Sequence, residues 1–329
     1  MSAPKATARK SAFLAGLAFL LVGAAGLFFL LALRRNWTRI AAFHPVIEPL
    51  AILLAFLAIA ADYLLTTAGW HITMRSLSRL DVPFPVSVAA VNASRLAKYL
   101  PGNGWSTAFQ MYWLQEKGYA KSLTLFTGLL NYFLSQVAYL IGGLALAVFS
   151  RRPAPSALVF ALASTAAAEL LVVLTFPWTS RKAIATLNRV FRLEIAALET
   201  SRGLLCRLHG IYFLAAFSFG SAAVLTCQGI GVPVDRDTAF LVISSAIVAE
   251  VLGCAAIFTM GGLGVREAGL YLMLGAAPGA LPLILPLALR LLSMSADIVF
   301  GWAGFHFLKR LSQPTAPRQK APAVSGGGS

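Results

Sequence analysis

The feature that most constrains this chain is a set of eight apolar stretches, six of which are long enough to cross a bilayer as uninterrupted helices. A helix rises about 1.5 Å per residue, so about 20 apolar residues cross the hydrocarbon core. Because 58% of the 329 residues are hydrophobic and only 12% are charged, a soluble core could not bury this surface. We therefore expect an all-α, polytopic membrane protein. The six predicted spans are Ser11–Leu33, Val46–Gly69, Leu123–Phe149, Ser156–Phe176, Gly210–Ile230 and Leu281–Phe307.

The other two apolar stretches, Val86–Tyr112 and Ala239–Leu274, are interrupted near the middle by proline or glycine. In the second, the run GGLGVRE at 261–267 places three glycines and two adjacent charges in an otherwise apolar segment. Charged side chains inside a membrane cost about 2.5–3.5 kcal/mol each and usually mark a substrate or ion path. A broken helix at membrane depth is tolerated only where protein or a water-filled cavity surrounds it. The run therefore predicts a transport site.

The two interrupted stretches resemble each other. A constant shift along the chain places Gly102 and Gly104 of the first break on Gly262 and Gly264 of the second. If each stretch enters and leaves the membrane on one side, the halves 86–149 and 239–307 run in opposite directions. Paired broken helices in inverted halves are the best sequence pointer to a binding site near the midplane. We expect six full spans plus two re-entrant helical hairpins; the alternative is eight simple spans, two of them kinked.

The distribution of basic residues predicts the orientation. Basic residues are concentrated in the loops 71–121 and 180–207, and the positive-inside rule then places both loops and both termini in the cytoplasm. Six arginines fall on the outside in this arrangement and count against it: Arg34, Arg35, Arg39, Arg151, Arg152 and Arg236. The net charge of +15 is more simply explained by attraction to anionic lipid headgroups than by binding to nucleic acid, which we do not expect.

The predicted domain organisation is simple. Residues 11–310 form one transmembrane domain, preceded by a cytoplasmic tail at 1–10. Apolar residues at helical spacing in 180–209 predict a cytoplasmic helical loop. Residues 311–329 are expected to be disordered, and their last five residues have the composition of an artificial flexible linker.

Charged residues near the second break are candidates for binding an anion. Arg290 and Asp297 share one face of the last span, and each needs a partner: Glu267 or Glu250 for Arg290, and Arg266 for Asp297. In one interpretation these pairs only hold the helices in register. In the other, Arg290 or Arg266 binds a phosphate, because a guanidinium recognises phosphate bidentately. The glycine-rich break would add helix N-terminal amides that favour the same anion.

The first break has its own polar cluster. Asn92, Arg95 and Tyr99 are spaced to share one helix face, and Lys98 lies beside them just before Pro101. Either the long cations extend to the cytoplasmic headgroups, or the segment is an anion-binding hairpin. The span that follows carries Asn131, a further polar candidate for substrate binding.

Asp62 and Glu250 are candidate proton relays. Asp62 stands alone in its span, and the alternative for it is a carboxyl that is simply protonated and hydrogen-bonded. No metal site is expected, because His44 and Glu48 lie four apart without a third ligand. The sequence has no phosphate-binding P-loop, no nucleophile elbow and no zinc-ligand cluster. We therefore expect no cofactor, no catalytic residues and no enzymatic activity.

The elements KYLPGNG at 98–104 and GGLGVRE at 261–267, followed by a span with Arg290, resemble the lysylphosphatidylglycerol synthase transmembrane, or flippase-like, domain family. The resemblance covers about residues 11–310. In the larger members, the multiple peptide resistance factors, it implies that this domain moves an aminoacylated phospholipid between leaflets. This chain is expected to be a stand-alone member without the synthase domain, so lysyl-lipid synthesis is not expected.

The residues and the resemblance together predict a lipid translocase of the inner membrane. Its substrate is expected to be an amphiphile with an anionic headgroup, a phospholipid or a polyprenyl phosphate. Arg290→Ala is expected to abolish transport without unfolding the protein. The alternative function is that of a non-transporting membrane partner, which delivers lipid to a glycosyltransferase or another lipid-modifying enzyme or holds it in place.

Overall fold

The computed structural model describes residues 37–41, 43–78, 81–100, 104–149, 202–256, 261–275 and 279–311, with isolated positions at 27, 31, 34, 35, 182, 189, 259 and 277. Within these residues every regular element is a helix. A short α1 covers Trp37–Ala41 and is followed by eight longer helices. These are α2 (Pro49–Leu77), α3 (Phe84–Ser94), α4 (Trp105–Glu116), α5 (Lys121–Phe149), α6 (Arg202–Gly229), α7 (Arg236–Ala255), α8 (Val265–Met273) and α9 (Leu281–Leu311), and a 3-10 turn at Arg95–Tyr99 continues α3.

Five of the described helices are long and apolar enough to cross a membrane. Four of them, α2, α5, α6 and α9, correspond to predicted spans. The fifth is α7, Arg236–Ala255, which belongs to the second interrupted stretch and is by itself long enough to cross. The predicted spans Ser11–Leu33 and Ser156–Phe176 lie outside the described residues, as do the terminal tails and most of the loop 180–209. The part of that loop from Arg202 onward belongs to α6.

The first interrupted stretch folds back on itself, and we call α3, the 3-10 turn and α4 the first hairpin. The Ser106 hydroxyl donates to the Ser94 carbonyl over 2.9 Å, and Gln110 Nε2 donates to Ser94 Oγ over 2.8 Å. A straight helix would separate Ser94 and Gln110 by about 24 Å. The arms have 11 and 12 residues, so neither reaches across a hydrocarbon core about 30 Å thick.

The second interrupted stretch also reverses, and we call α7, α8 and the residues that join them the second hairpin. Its arms are unequal, with 20 residues in α7 and nine in α8. The arms meet through glycines: a Cβ on Gly262 would lie 2.9 Å from Gly253 Cα, and one on Gly269 would lie 3.1 Å from Leu252 Cδ1. Both interrupted stretches are therefore hairpins and not single kinked spans.

Small residues let α9 hold the first hairpin at close range. A Cβ on Gly304 would lie 2.5 Å from the Ala93 backbone nitrogen, and one on Gly301 would lie 2.5 Å from Leu96 Cγ. On the other side of the bundle, α2 packs along α6 and α5 packs along α7. A buried apolar core joins α2, α6, α7 and α9 around Ile59, Phe219, Ile247 and Leu289. We call the long helices α2, α5, α6 and α9 the frame. Both hairpins pack on it, and the α7 arm of the second hairpin also joins its apolar core.

This close approach gives a stability prediction. Gly304→Ala is expected to destabilise the protein by about 1–3 kcal/mol, because the new methyl group meets backbone that cannot rotate away. Thermal unfolding of the detergent-solubilised protein measures the loss. Gly210→Ala is the matched control, because Gly210 is also helical and an added Cβ has nothing within 4 Å. Equal melting temperatures for the two variants would contradict the close packing of the first hairpin on α9.

Candidate functional site

A cavity of about 350 Å³ lies between the two hairpins and the frame helices α2 and α5. Its wall is unusually charged for the interior of an apolar bundle, with three cations and two acids. The cations come from the 3-10 turn of the first hairpin and from α8, and the acids come from α2 and α7. They are Arg95, Lys98, Arg266, Asp62 and Glu250.

Arg266 is the most buried cation on the cavity wall, with a side chain 10% exposed. It lies in the first turn of α8, and its Nη1 is 2.7 Å from Glu250 Oε2 on the opposite arm of the second hairpin. Its guanidinium carbon is 4.9 Å from the ring centroid of Phe219. Its Nη2 is buried and has no hydrogen-bond partner among the described residues. A buried charged donor of this kind is costly unless a ligand satisfies it.

The Asp297 carboxylate of α9 is contacted by three donor groups, one from α2 and two from the 3-10 turn. Tyr63 OH of α2 donates to Oδ1 over 2.7 Å, and Tyr99 OH donates to Oδ2 over 2.6 Å. Lys98 Nζ is also 2.6 Å from Oδ2. The predicted partner of Asp297, Arg266, was wrong, because Arg266 pairs with Glu250. Lys98 therefore both lines the cavity and ties the first hairpin to the last helix.

Arg95 also turns into the protein. Its guanidinium lies 3.6 Å from the ring centroid of Tyr63, and its Nη2 donates to Thr66 Oγ1 over 3.1 Å and to the Tyr63 carbonyl over 3.3 Å. Its Nε donates to Asn92 Oδ1 over 3.1 Å, while Asn92 Nδ2 donates to the Val88 carbonyl. The interpretation that these residues extend to the headgroups outside is therefore wrong for Arg95.

The glycine loop of the second hairpin is held by two charged side chains. Gly261, Gly262 and Gly264 have φ angles of 57°, 76° and 84°, a region that side chains with a Cβ rarely adopt. The Gly264 amide donates to Glu267 Oε2 over 2.7 Å, which caps α8. Arg290 Nη1 donates to the Gly261 carbonyl over 2.9 Å, and Arg290 Nε is 3.6 Å from Glu267 Oε1.

These contacts revise two expectations. The predicted pairing of Arg290 with Glu267 is confirmed, but Arg290 supports the loop and is not among the residues that line the cavity. The Gly264 amide, predicted as an anion donor, is already bonded to Glu267. Arg266 is therefore the better placed of the two arginines for a bound anion.

The two breaks in the sequence meet at the cavity. A Cβ on Gly261 would lie 3.7 Å from Lys98 Cγ, from the Lys98 carbonyl oxygen and from Arg290 Nη2. Gly261 and Gly262 both line the cavity, as Lys98 does. Gly104 lies at the start of α4 with open space around it, and Gly102 lies outside the described residues.

The neutral and acidic candidates are engaged in the frame. Asn131 Oδ1 accepts from Tyr212 OH and, over 3.1 Å, from Thr73 Oγ1, so Asn131 links α5 to α6 and α2. Asp62 Oδ1 accepts from Tyr139 OH, which links α2 to α5. Both residues line the cavity. The described residues contain no cluster of three or more metal-ligating side chains.

Sequence reasoning missed the aromatic and neutral polar wall of the cavity. On each of α2 and α5 these residues are three or four positions apart and so share one helix face. Their spacing was therefore a usable signal. The apolar residues between them concealed it. The missed residues are Tyr63, Thr66, Trp70, Tyr132, Ser135, Gln136 and Tyr139.

Comparison with known proteins supports this assignment of a membrane domain. A search of curated proteins gave no match. A family model, described as the lysylphosphatidylglycerol synthase TM region, matches residues 13–301 and so includes both hairpins, the cavity and the frame helices. The resemblance predicted from the two glycine-containing elements is thereby confirmed. This chain is a multi-pass membrane protein and belongs to the lysylphosphatidylglycerol synthase transmembrane region family.

Proposed function

We propose that this protein moves an amphiphile with an anionic headgroup, a phospholipid or a polyprenyl phosphate, from one leaflet to the other. The observation that carries the proposal is the cavity, in which Arg95, Lys98 and Arg266 face one space inside an apolar helical bundle. An intramembrane charge without a functional reason is selected against by its cost. Three cations and two acids line this cavity, so positive charge is in excess, as a phosphate needs there.

The physical task is to replace the water around a phosphate during its passage. An unpaired ion in hydrocarbon carries a penalty far larger than any single contact in the bundle. Arg266 Nη2, buried and without a partner among the described residues, offers a charge-assisted hydrogen bond to a phosphate oxygen. Lys98 lines the cavity and also pairs with Asp297. Its ammonium group can therefore add a second hydrogen bond to the phosphate by leaving Asp297 for the headgroup. The acyl chains would stay in the lipid.

The proposed movement is a rocking of the two hairpins about the cavity, as an inverted repeat with six full spans would permit. Its support is that both hairpins reverse and that their breaks meet at Gly261. The two hairpins of the proposed repeat differ in length, because α7 is longer than either arm of the first hairpin. Transport in this scheme is downhill or proton-coupled, with Asp62 and Glu250 as the candidate relays. We place the protein in the inner membrane with both termini in the cytoplasm.

A reversible cross-link tests the rocking directly. A Cβ on Gly128 of α5 would lie 3.4 Å from Thr107 Cγ2 of α4, so the side chains of cysteines at these two positions would be in contact and can be cross-linked by oxidation. In a background lacking Cys206, Cys227 and Cys254, oxidation of the Thr107→Cys/Gly128→Cys variant is expected to reduce lipid exchange by about tenfold or more, because the first hairpin can no longer leave α5. Reduction of the same sample should restore the rate.

The two single-cysteine variants, treated with the same oxidant, are the controls and are expected to keep their activity. Undiminished exchange with the disulfide fully formed would rule out movement of α4 against α5. The translocation proposal would then need a rigid path through the cavity.

The function itself is tested by leaflet exchange in proteoliposomes that contain headgroup-labelled phosphatidylglycerol, phosphatidylethanolamine or a polyprenyl phosphate. Movement of an anionic lipid supports translocation. If the folded protein moves none of them, the proposal fails and the alternative, a membrane partner for a lipid-modifying enzyme, is tested by mass spectrometry of co-purified proteins.

A further inference from the structure

The cavity contains two buried neutral polar atoms that no described residue satisfies. Trp70 Nε1 of α2 and Gln136 Oε1 of α5 each lack a hydrogen-bond partner among the described residues. Both residues line the same cavity as Arg266, and Trp70 is 4% exposed. Buried polar groups are almost always hydrogen-bonded, to protein, water or a ligand, so both atoms are open to a polar group that enters the cavity.

The two atoms need opposite kinds of hydrogen-bond partner. An indole nitrogen only donates, and a carboxamide oxygen only accepts. With the Gln136 carboxamide oriented as in this structure, a phosphate oxygen can satisfy Trp70 but cannot donate to Gln136. An ammonium group can donate to Gln136 but cannot accept from Trp70. A hydroxyl group both donates and accepts, so a headgroup with hydroxyls satisfies both atoms.

An amine fits this place less well than a hydroxyl does. An ammonium group can donate to Gln136 Oε1, but it has no lone pair for Trp70 Nε1, which would stay buried without an acceptor. A headgroup hydroxyl can satisfy either atom. The rings of Trp70, Tyr132 and Tyr139 also offer flat apolar surface to the carbon skeleton of a polyol.

We propose that Trp70 and Gln136 form a polyol subsite beside the phosphate-binding cations. The substrate class is then a phosphodiester lipid whose headgroup ends in uncharged hydroxyls, such as glycerol, inositol or a sugar. This inference deepens the proposed function and takes the position of the phosphate from it. It can nevertheless be tested by binding alone.

The test uses three short-chain lipids and the full-length protein purified in detergent. Dioctanoyl phosphatidylglycerol carries two hydroxyls, phosphatidylmethanol has the same charge without them, and phosphatidylethanolamine carries an amine. Binding is measured by native mass spectrometry or microscale thermophoresis. We expect phosphatidylglycerol to bind about tenfold more tightly than either of the others, since it gains two buried hydrogen bonds.

Variants then locate the preference. Gln136→Leu and Trp70→Phe are expected to remove most of the preference for phosphatidylglycerol while leaving the affinity for phosphatidylmethanol unchanged. Gln228→Leu, at an exposed glutamine near the end of α6, is the matched control and should keep the preference. Equal binding of phosphatidylglycerol and phosphatidylmethanol by the wild type would overturn the inference. An equal loss for both lipids in Gln136→Leu would also overturn it.

Leaflet exchange of the same lipids separates this inference from the proposed function. A binding preference for phosphatidylglycerol without movement of any lipid would retain the polyol subsite and reject translocation. Movement of all anionic lipids at one rate, without a binding preference, would retain translocation and reject the subsite.

Discussion

Removing the ion pair on the cavity wall, by Arg266→Gln together with Glu250→Gln, is expected to lower the rate of anionic lipid exchange by about a hundredfold, because the phosphate loses the Arg266 charge and its charge-assisted hydrogen bond. The pair is changed as a unit because Arg266→Gln alone would leave Glu250 charged and unpaired, which destabilises a buried site. The double variant keeps side chains of similar size and should remain folded. The exchange rate and the melting temperature are measured on the same preparation.

Two comparisons make this result specific to the cavity. Arg75→Gln/Asp81→Asn removes another arginine–carboxylate pair, but its members are 61% and 53% exposed, and it should transport normally. Arg266→Lys keeps the charge but loses the planar guanidinium, so it should transport at an intermediate rate. Full activity in Arg266→Gln/Glu250→Gln would remove this pair from the mechanism.

Asp297→Ala is expected to have the largest effect on stability, about 3–5 kcal/mol. Its carboxylate is 1% exposed and accepts from Tyr63, Tyr99 and Lys98, so its loss leaves a cation and two hydroxyls without their acceptor. The first hairpin should also loosen from α9, because both Lys98 and Tyr99 belong to it. Thermal unfolding in detergent measures the first effect, and protease accessibility near residue 100 measures the second.

The control for this prediction is Asp81→Ala, which removes an exposed carboxylate and should cost less than about 1 kcal/mol. A partial rescue is also expected. Asp297→Asn combined with Lys98→Met removes both charges, keeps an acceptor for the tyrosines and should recover much of the lost stability. If the double variant were less stable than Asp297→Ala, the ion pair would not be the source of the effect.

The helices and the breaks were predictable from local sequence. Long apolar runs specify membrane helices because every backbone group must be bonded within the segment. Gly261, Gly262 and Gly264 adopt positive φ angles, and such angles are accessible to glycine at little cost, so the second break was visible in the sequence. Of the charged run that follows, Arg266 lies on the cavity wall and Glu267 does not.

The pairing of the charges was not predictable from local sequence. Tyr99 and Asp297 are 198 residues apart, and only the packing of the first hairpin on α9 brings them together. Periodicity places Asp297 on a face of its helix but does not say which hairpin covers that face. The assignment of Arg266 to Asp297 failed for this reason, and Lys98 takes that place.

The start of α7 was missed for a different reason. Apolar content alone does not show where a helix begins, so the stretch was taken to start at Ala239 and not at Arg236. In the structure Asp235 accepts from the Thr238 amide and caps α7, which then runs 20 residues before the loop. This cap is a local signal that the sequence contains.

The central claim is that the cavity carries an anionic headgroup across the membrane. The most direct measurement is the loss of fluorescence from headgroup-labelled phosphatidylglycerol when a membrane-impermeant quencher is added to vesicles containing the wild-type protein. We predict that label from both leaflets is lost, while protein-free vesicles lose only the outer-leaflet label. Identical quenching in the two kinds of vesicle, with the protein folded and correctly inserted, would contradict translocation of this lipid.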